Sequence, residues 1–357
     1  MEHHVHWRED GDARQAPWLS ERHAPPAAVV VAGDELRTGD ALTHARRGHA
    51  VLWRGDYRNA RQLLAAMRRR LDRRPVTPGN TPADTFHRYR QVTAHRAALL
   101  NRLVVELGAG HRLDLPHAPD VSSVCTRTGL IPLQELLGVI GAHEWRRRGV
   151  WIPLLHNRIH PHYGVFAPTR QEYLDLVAAA PWPHPRTAFD IGTGTGVLAV
   201  LLARRGAETV VATDIEPRAV ACARENVDRL GLAGRIRVEQ ADVFPAGCAD
   251  LVVCNPPWLP ATPFSPLDAA VYDKDSRMLR RFLDELPRHL NPGGEAWLVL
   301  SDLAERLGLR AAPPFGGLTV LDRLDTRPRH RVVRPGDPLS DYRAAETTSL
   351  WRLATGG

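Results

Sequence analysis

The chain has 357 residues, with 47 Lys+Arg against 40 Asp+Glu, a formal net charge of +7, 43% hydrophobic and 24% charged residues. This length suits two or three domains, and the composition is that of a globular protein rather than a disordered one. No apolar run reaches the ~18 residues that a membrane span needs, and the first ten residues lack the apolar core of a signal peptide, so we expect a cytoplasmic protein. Four cysteines without a CxxC pair argue against a disulfide framework or a zinc ribbon.

The positive charge is confined to the N-terminal part of the chain. Residues 1–150 carry 23 arginines against 16 acidic residues, whereas residues 151–357 carry 24 basic and 24 acidic residues. The surplus peaks between Arg46 and Arg96. Such an Arg-rich region favours a polyanionic partner, either nucleic acid or an acidic protein, and its alternative interpretation is a solvated helix face.

The N-terminal part is predicted to hold a flexible lead-in over residues 1–26 and a substrate-recognition domain over residues 27–155, of α+β or mainly helical fold. Its predicted strands are 27–32 and 50–53, and its predicted helices are 59–70, 83–107 and 132–147. The breaker-rich stretch 75–82 predicts a loop or linker.

A second domain is predicted over residues 156–357, where short apolar runs alternate with amphipathic segments. Strands are predicted at 187–191, 209–213, 235–239, 250–254, 296–300 and 349–354, and helices at 197–205, 217–230 and 276–290. This alternation indicates βαβ units and a parallel sheet covered by helices. In such sheets a ligand binds at the carboxyl ends of the strands.

The first predicted strand of this domain ends in a glycine-rich turn that opens a helix. Gly192, Gly194 and Gly196 allow the backbone to turn tightly and to approach a ligand without Cβ clashes. Dinucleotide dehydrogenases use a similar turn, but the spacing here is G-x-G-x-G rather than G-x-G-x-x-G. Asp190 precedes the glycines and suits a cofactor that carries an ammonium group, whereas it would repel a pyrophosphate.

Two acidic residues follow the next two predicted strands. Asp214 is placed to accept hydrogen bonds from both hydroxyls of a ribose. Asp242 is placed to accept from the amino group of an adenine, with Val243 covering the ring. The alternative role for both carboxylates is helix capping or solvation of a loop.

The sequence Asn255-Pro256-Pro257-Trp258 closes the fourth predicted strand. Two consecutive prolines fix a rigid loop there. The Asn255 side-chain oxygen and the Pro256 carbonyl can accept the two hydrogens of an –NH2 group, which directs its nitrogen lone pair at an electrophilic carbon. Trp258 can stack on a planar acceptor.

Together these motifs resemble, over residues 160–300, class I S-adenosylmethionine-dependent methyltransferases. The resemblance implies a Rossmann-like seven-stranded sheet, mostly parallel with an antiparallel last strand. It also implies S-adenosylmethionine as cofactor and, through the NPPW motif, methylation of a planar nitrogen: a glutamine amide, as in the HemK-like enzymes, or an exocyclic amine of a nucleobase. Residues 164–172 (GVFAPTRQE) are similar to a stretch that these enzymes place against the cofactor.

The residues implied for the cofactor are Phe166, Thr169, Asp190, Gly192, Thr193, Gly194, Thr195, Gly196, Asp214, Ile215, Asp242, Val243 and Asn255. Those implied for the acceptor are Asn255, Pro256, Pro257 and Trp258. The acceptor itself stays open between a protein, a nucleic acid and a small molecule.

Two other function classes stay open from the sequence: an oxidoreductase that uses a nicotinamide dinucleotide, and a binding module without catalytic activity. No metal site is predicted, because the histidines 156, 160 and 162 lack an evident carboxylate or cysteine partner. Cys254 is interpreted as a core residue of a buried strand.

Overall fold

The computed structural model describes residues 3–20, 22–312, 315–329 and 336–356. The chain divides into two compact units. Unit 1 comprises residues 1–78 and 87–144, and unit 2 comprises residues 79–86 and 145–357. The boundary predicted at 155/156 therefore falls inside unit 2.

Unit 1 contains two small sheets, and its helices begin either in unit 1 itself or in the adjoining residues 79–86. Its strands are β1 (His4–Glu9), β2 (Asp12–Pro17), β3 (Ala28–Ala32), β4 (His49–Trp53), β5 (Leu103–Leu107) and β6 (Gly129–Pro132). The helices are α1 (Thr38–Arg46), α2 (Tyr57–Asp72), α3 (Pro82–Leu100) and α4 (Leu133–Arg148), with a 3-10 turn at Ala109–His111. Strands β3, β4 and β5 are parallel, and β6 pairs antiparallel with β5. Unit 1 is thus of mixed α and β structure.

Two expectations for unit 1 are wrong. The described part of the predicted lead-in, which excludes residues 1, 2 and 21, forms the hairpin β1–β2. Alternate residues of the hairpin, among them Val5 and Trp7, are buried against Leu52 and Val104 of the four-stranded sheet. The helix predicted over 83–107 ends at Leu100, and the remainder is β5, whose adjacent valines suit a buried strand.

Unit 2 contains a seven-stranded sheet and one short hairpin. Its strands are β7 (Val150–Ile152), β8 (Asn157–Ile159), β9 (Thr187–Ile191), β10 (Thr209–Asp214), β11 (Ile236–Gln240), β12 (Ala249–Cys254), β13 (Leu290–Ser301), β14 (Leu318–Thr326) and β15 (Thr348–Thr355). Its helices are α5 (Glu172–Ala179), α6 (Val197–Arg205), α7 (Pro217–Arg229), α8 (Pro266–Ala269), α9 (Arg277–Glu285), α10 (Leu303–Arg306) and α11 (Ser340–Ala344). Short 3-10 turns lie at Pro153–Leu155, Lys274–Ser276 and Leu286–Arg288.

The large sheet has the strand order β11-β10-β9-β12-β13-β15-β14. The first five strands of that order are parallel, and β15 runs antiparallel to both β13 and β14. Helix α6, which is apolar from Val197 to Ala203, is buried in the core cluster that also contains Ala188 and Val210. The prediction of a Rossmann-like α/β fold is confirmed.

No helix in the described part of the chain is both long and apolar enough to cross a membrane.

Candidate active site

A cavity of about 1170 Å³ opens at the carboxyl ends of β9, β10 and β12. These parallel strands end at Ile191, Asp214 and Cys254, so that the residues that follow them meet at one edge of the sheet. Thirteen of the predicted site residues line it: Phe166, Gly192, Thr193, Gly194, Thr195, Asp214, Ile215, Asp242, Val243, Asn255, Pro256, Pro257 and Trp258. Thr169, Asp190 and Gly196 are not among the lining residues.

The glycine-rich turn has three residues in the left-handed region: Gly192 at φ 72°, Gly194 at φ 55° and Gly196 at φ 82°. A side chain at Gly192 would bring its Cβ within 3.1 Å of Met278 Cε, which faces it across the cavity wall. A Cβ on Gly196 would lie 3.3 Å from Ala223 on α7. The first glycine therefore keeps the cavity open, and the last allows the loop to pack on the neighbouring helix.

Asp190 lies beneath the turn and is fully buried. Its Oδ2 accepts hydrogen bonds from Thr193 Oγ1 at 2.6 Å and from the Ala199 N–H at 2.9 Å. Burial raises the pKa of Asp190 to about 7, although these two hydrogen bonds act in the opposite direction. The geometry makes Asp190 a support of the turn, so the direct contact with a cofactor ammonium group expected from the sequence is not supported.

Asp214 connects the second strand with the glycine turn. One carboxylate oxygen accepts from the Gly194 N–H at 2.9 Å, and the other accepts from the Glu216 N–H at 3.0 Å. Burial raises the pKa of Asp214, and the two backbone hydrogen bonds oppose that shift. Each oxygen keeps a further lone pair for a hydroxyl group in the cavity. Ile215, the next residue, is 54% exposed at the cavity wall.

Asp242 pairs with Arg281 of α9, and both line the cavity. Sequence reasoning missed this arginine, because the pair joins residues 39 positions apart. The neighbouring Val243 is buried and has φ 78°. This conformation is costly for a β-branched residue and is concentrated at functional sites. The Val243 carbonyl accepts from the buried Thr213 hydroxyl at 2.7 Å, which helps to hold it.

The Asn255–Trp258 loop carries an internal hydrogen bond that the sequence did not reveal. The Trp258 indole N–H donates to Asn255 Oδ1 at 3.1 Å. This bond fixes which end of the Asn255 amide faces the indole, and the oxygen still has a second lone pair. The Asn255 acceptor is therefore oriented before any ligand binds.

Two further residues beside this loop were not predicted. The Arg170 guanidinium carbon lies 5.9 Å from the centroid of the Trp258 ring, within the range of a cation–π contact. Glu346, which is 2% exposed, accepts from the Ser301 hydroxyl at 2.7 Å, and its other oxygen lies 3.6 Å from Arg170 Nη2. Arg170 and Glu346 both line the cavity. The stretch 164–172 contributes Arg170 to this wall rather than Thr169.

Lys274 is the only lysine in the sequence, and it is exposed on the cavity wall. The next two residues, Asp275 and Ser276, have φ of 59° and 51°. Nearby, Asp273 accepts from the Met278 N–H at 2.8 Å, which ties this turn to α9.

The histidine-rich segment is held to α7 by protein contacts. His162 Nε2 lies 2.8 Å from a carboxylate oxygen of Glu225. Burial alone would raise the pKa of Glu225, but hydrogen bonds from His162, Arg146 and Arg229 lower it to about 2. No group of three or more His, Cys, Asp or Glu side chains placed to hold a metal ion is found within the described residues. Cys254 is fully buried, as expected for a core residue.

The fold and this cavity define the class of protein: a Rossmann-like α/β enzyme fold with its ligand cavity at the carboxyl edge of a mostly parallel sheet. Comparison with known proteins adds the family. The family described as "Methyltransferase small domain" matches residues 157–306. One relative is 31% identical to this chain, and the match spans 83% of that relative's length. The chain therefore belongs to this family of class I S-adenosylmethionine-dependent methyltransferases.

That relative, from Methanocaldococcus jannaschii, bears the name protein N5-glutamine methyltransferase and aligns with 44% of this chain. A protein of Cereibacter sphaeroides named release factor glutamine methyltransferase is 35% identical over 45% of this chain, and the match spans 63% of the relative's length. A solved methyltransferase structure from Pyrococcus furiosus aligns with 62% of this chain and 99% of its own, at 18% identity and a TM-score of 0.42.

S-adenosylmethionine is the cofactor of this class, and the cavity residues fit it. A side chain at Gly192 would crowd Met278 at the cavity wall. The Asp214 carboxylate can accept from ribose hydroxyls, and Ile215 and Val243 supply apolar surface for an adenine ring. The family membership also argues against a nicotinamide-dependent oxidoreductase.

Proposed function

We propose that this protein transfers a methyl group from S-adenosylmethionine to the side-chain amide nitrogen of a glutamine in a protein acceptor, in the cytoplasm. The observation that carries the proposal is the position of the Asn255–Trp258 loop, which lines the same cavity as the glycine turn and Asp214. The names of the relatives from Methanocaldococcus jannaschii and Cereibacter sphaeroides support the choice of a glutamine amide.

The cofactor residues proposed from the geometry are those that line the cavity beside the glycine turn. The turn offers backbone groups, Asp214 binds the ribose, and Val243 and Ile215 enclose the base. Asp242 is paired with Arg281. It accepts a hydrogen bond from the adenine amino group while it keeps this ion pair. When bound, S-adenosylmethionine supplies a methyl group activated by its sulfonium charge.

The loop acts on the acceptor. Asn255 Oδ1 and the Pro256 carbonyl accept hydrogen bonds from the two N–H groups of the amide. This disfavours delocalisation of the nitrogen lone pair and points it along the line of displacement. The new N–C bond would form from this lone pair while the bond between the methyl carbon and the sulfonium sulfur breaks, which leaves S-adenosylhomocysteine, and the nitrogen would then release one proton to solvent. Trp258 covers the planar amide from one side, and Arg170 packs against the tryptophan. Positioning of this kind can lower a barrier by roughly 7–11 kcal/mol.

The Asn255→Ala substitution tests this mechanism. We expect binding of S-adenosylhomocysteine within about threefold of wild type by calorimetry, because the ribose and glycine contacts remain. Methyl transfer to the capped peptide acetyl-Ala-Gln-Ala-amide should fall by about 100-fold or more, the scale seen when one oriented hydrogen-bonding group is removed from an active site.

Asn291→Ala is the matched control, because Asn291 donates to Asp250 at 2.7 Å and is not among the residues that line the cavity. It should leave transfer unchanged. Undiminished transfer by Asn255→Ala would show that the loop does not hold the acceptor. If the wild type transferred the methyl group to adenosine or guanosine and not to the peptide, the acceptor would be a nucleobase rather than glutamine. An absence of transfer to all of them, with S-adenosylhomocysteine bound, would favour a binding module.

For unit 1 we propose the role of recognising the acceptor or an assembly that contains it, and its positive charge suits a polyanionic partner there.

A further inference from the structure

A second cavity, of about 630 Å³, lies wholly within unit 1. Helices α2 and α3 supply most of its wall. It is lined by Arg46, Arg70, Leu71, Arg74, Pro75, Val92, His95, Arg96 and Leu99. No acidic side chain is found among these described lining residues.

Among the residues that the structure describes, three of the four arginines here have no side-chain partner. In the described part of the chain, no hydrogen bond or ion pair involves the guanidinium of Arg46, Arg70 or Arg74. Arg96 is the exception, because its Nη1 donates to Asp72 at 3.2 Å and its Nη2 donates to the Arg74 carbonyl. Arg96 therefore has protein partners, whereas Arg46, Arg70 and Arg74 line the same cavity without one in the described structure.

Unpaired cations that line one cavity repel one another, and a bound anion relieves that repulsion. The guanidinium group is suited to phosphate, because it donates in a planar fork to two oxygens at once. The arginines here differ from those of unit 2 such as Arg281 and Arg352, which are paired with carboxylates.

The rest of the wall is apolar. Leu71, Pro75, Val92 and Leu99 line the same cavity, together with His95. A carboxylate side chain of an acidic protein needs no such surface, whereas a nucleotide presents a phosphate next to a flat base that can lie on it. The combination of unpaired arginines and apolar surface therefore favours nucleic acid over an acidic polypeptide.

We propose that this cavity binds the phosphates and a base of a single-stranded nucleic acid, through Arg46, Arg70 and Arg74, with Arg96 as a fixed fourth contact. The site belongs to unit 1 and does not rest on the methyl transfer proposed above. It gives the N-terminal charge surplus a specific location.

The test is the binding of a fluorescein-labelled 12-nucleotide single-stranded RNA to the full chain by anisotropy, at 50 to 200 mM salt. Four phosphate contacts predict a slope of about −3 in log affinity against log salt, which is about 50-fold weaker binding across that range. The triple variant Arg46→Gln, Arg70→Gln, Arg74→Gln should bind more weakly and lose only about threefold across it. The single variant Arg74→Gln gives an intermediate slope and serves if the triple variant does not fold.

The matched control is Arg58→Gln, Arg61→Gln, Arg69→Gln, which removes three exposed arginines of α2 that do not line the cavity. It should keep the wild-type slope of about −3. Equal loss of RNA affinity in the two triple variants would overturn the proposal, since binding would then follow net charge alone. So would an absence of RNA binding by the wild type, or stronger binding of a fluorescein-labelled polyglutamate peptide than of RNA.

Discussion

At the level of single residues, burial gives Asp190 a role other than the cofactor contact that its motif predicts. In the sequence, Asp190 comes just before the glycines, and this position predicts a contact with the ligand. The fold buries it under Thr193 and the start of α6 instead. Its second oxygen, Oδ1, is buried with no hydrogen-bond partner in the described structure. A buried carboxyl group of this kind favours its neutral form.

Asp190 should therefore make stability depend on pH. Because its pKa is raised to about 7 from an ordinary value of 3.8, the folded protein keeps a proton that the unfolded chain loses above about pH 4. The stabilisation is full below pH 4 and is lost as the pH rises through 7. Asp190→Asn stays neutral throughout, so between pH 5.5 and 8.5 its stability should rise by about 2 kcal/mol relative to wild type. Urea denaturation at the two pH values measures this difference.

The control for this prediction is Asp228→Asn, which changes an exposed carboxylate on α7. Its difference from wild type should stay constant over the same pH range. A constant difference for Asp190→Asn as well would show that the buried carboxyl titrates near its ordinary value.

At the level of elements, the start of α6 is fixed by backbone geometry rather than by a side-chain cap. Gly196 is the residue before the helix, with φ 82° and no side-chain hydrogen bond to the first turn. Its α-carbon also contacts α7 so closely that a Cβ would lie 3.3 Å from Ala223. A glycine is therefore required at position 196 both by the turn and by the close contact with α7.

Gly196→Ala should destabilise the fold by about 1–2 kcal/mol, the cost of placing an L residue in the left-handed region, with a further penalty from Ala223. Gly234→Ala is the paired control, because Gly234 has no atom within 4 Å of a built Cβ and no positive φ. That substitution should be neutral or stabilising by up to about 1 kcal/mol. Urea denaturation compares them, and equal losses from both would mean that backbone conformation is not the cause.

Elements with strong periodicity were predicted closely, and those that depend on distant partners were not. The strand predicted over 187–191 and the helix over 197–205 coincide with β9 and α6. By contrast, β1 and β2 were missed, because their burial depends on a sheet formed more than 20 residues later. At the site, the order of motifs along the chain was sufficient to bring Asn255 and Asp214 to one cavity. Partners such as Arg281 and Glu346 come from distant segments and carry no local signal.

At the level of the whole molecule, the positive charge and the catalytic motifs belong to different parts of the chain. Residues 1–150 hold the entire surplus of seven charges, whereas the part with the methyltransferase motifs is balanced. In unit 2, many arginines are used in ion pairs, as with Arg352 and Glu295 at 2.8 Å. In the described part of unit 1, Arg46, Arg70 and Arg74 have no carboxylate partner. The partition suggests that anchoring and chemistry can be altered independently by substitution.

Cleavage at the single lysine also provides a measure of cofactor binding. Lysine-specific endoproteinase cleaves after lysine, so full digestion of a chain with only Lys274 yields two fragments, residues 1–274 and 275–357. Lys274 is exposed and lines the same cavity as the glycine turn. S-adenosylhomocysteine should therefore slow this one cut, and the intact fraction on a gel would report occupancy with no label and no known acceptor. An unchanged rate of cleavage at saturating S-adenosylhomocysteine would show that the bound cofactor leaves this turn free.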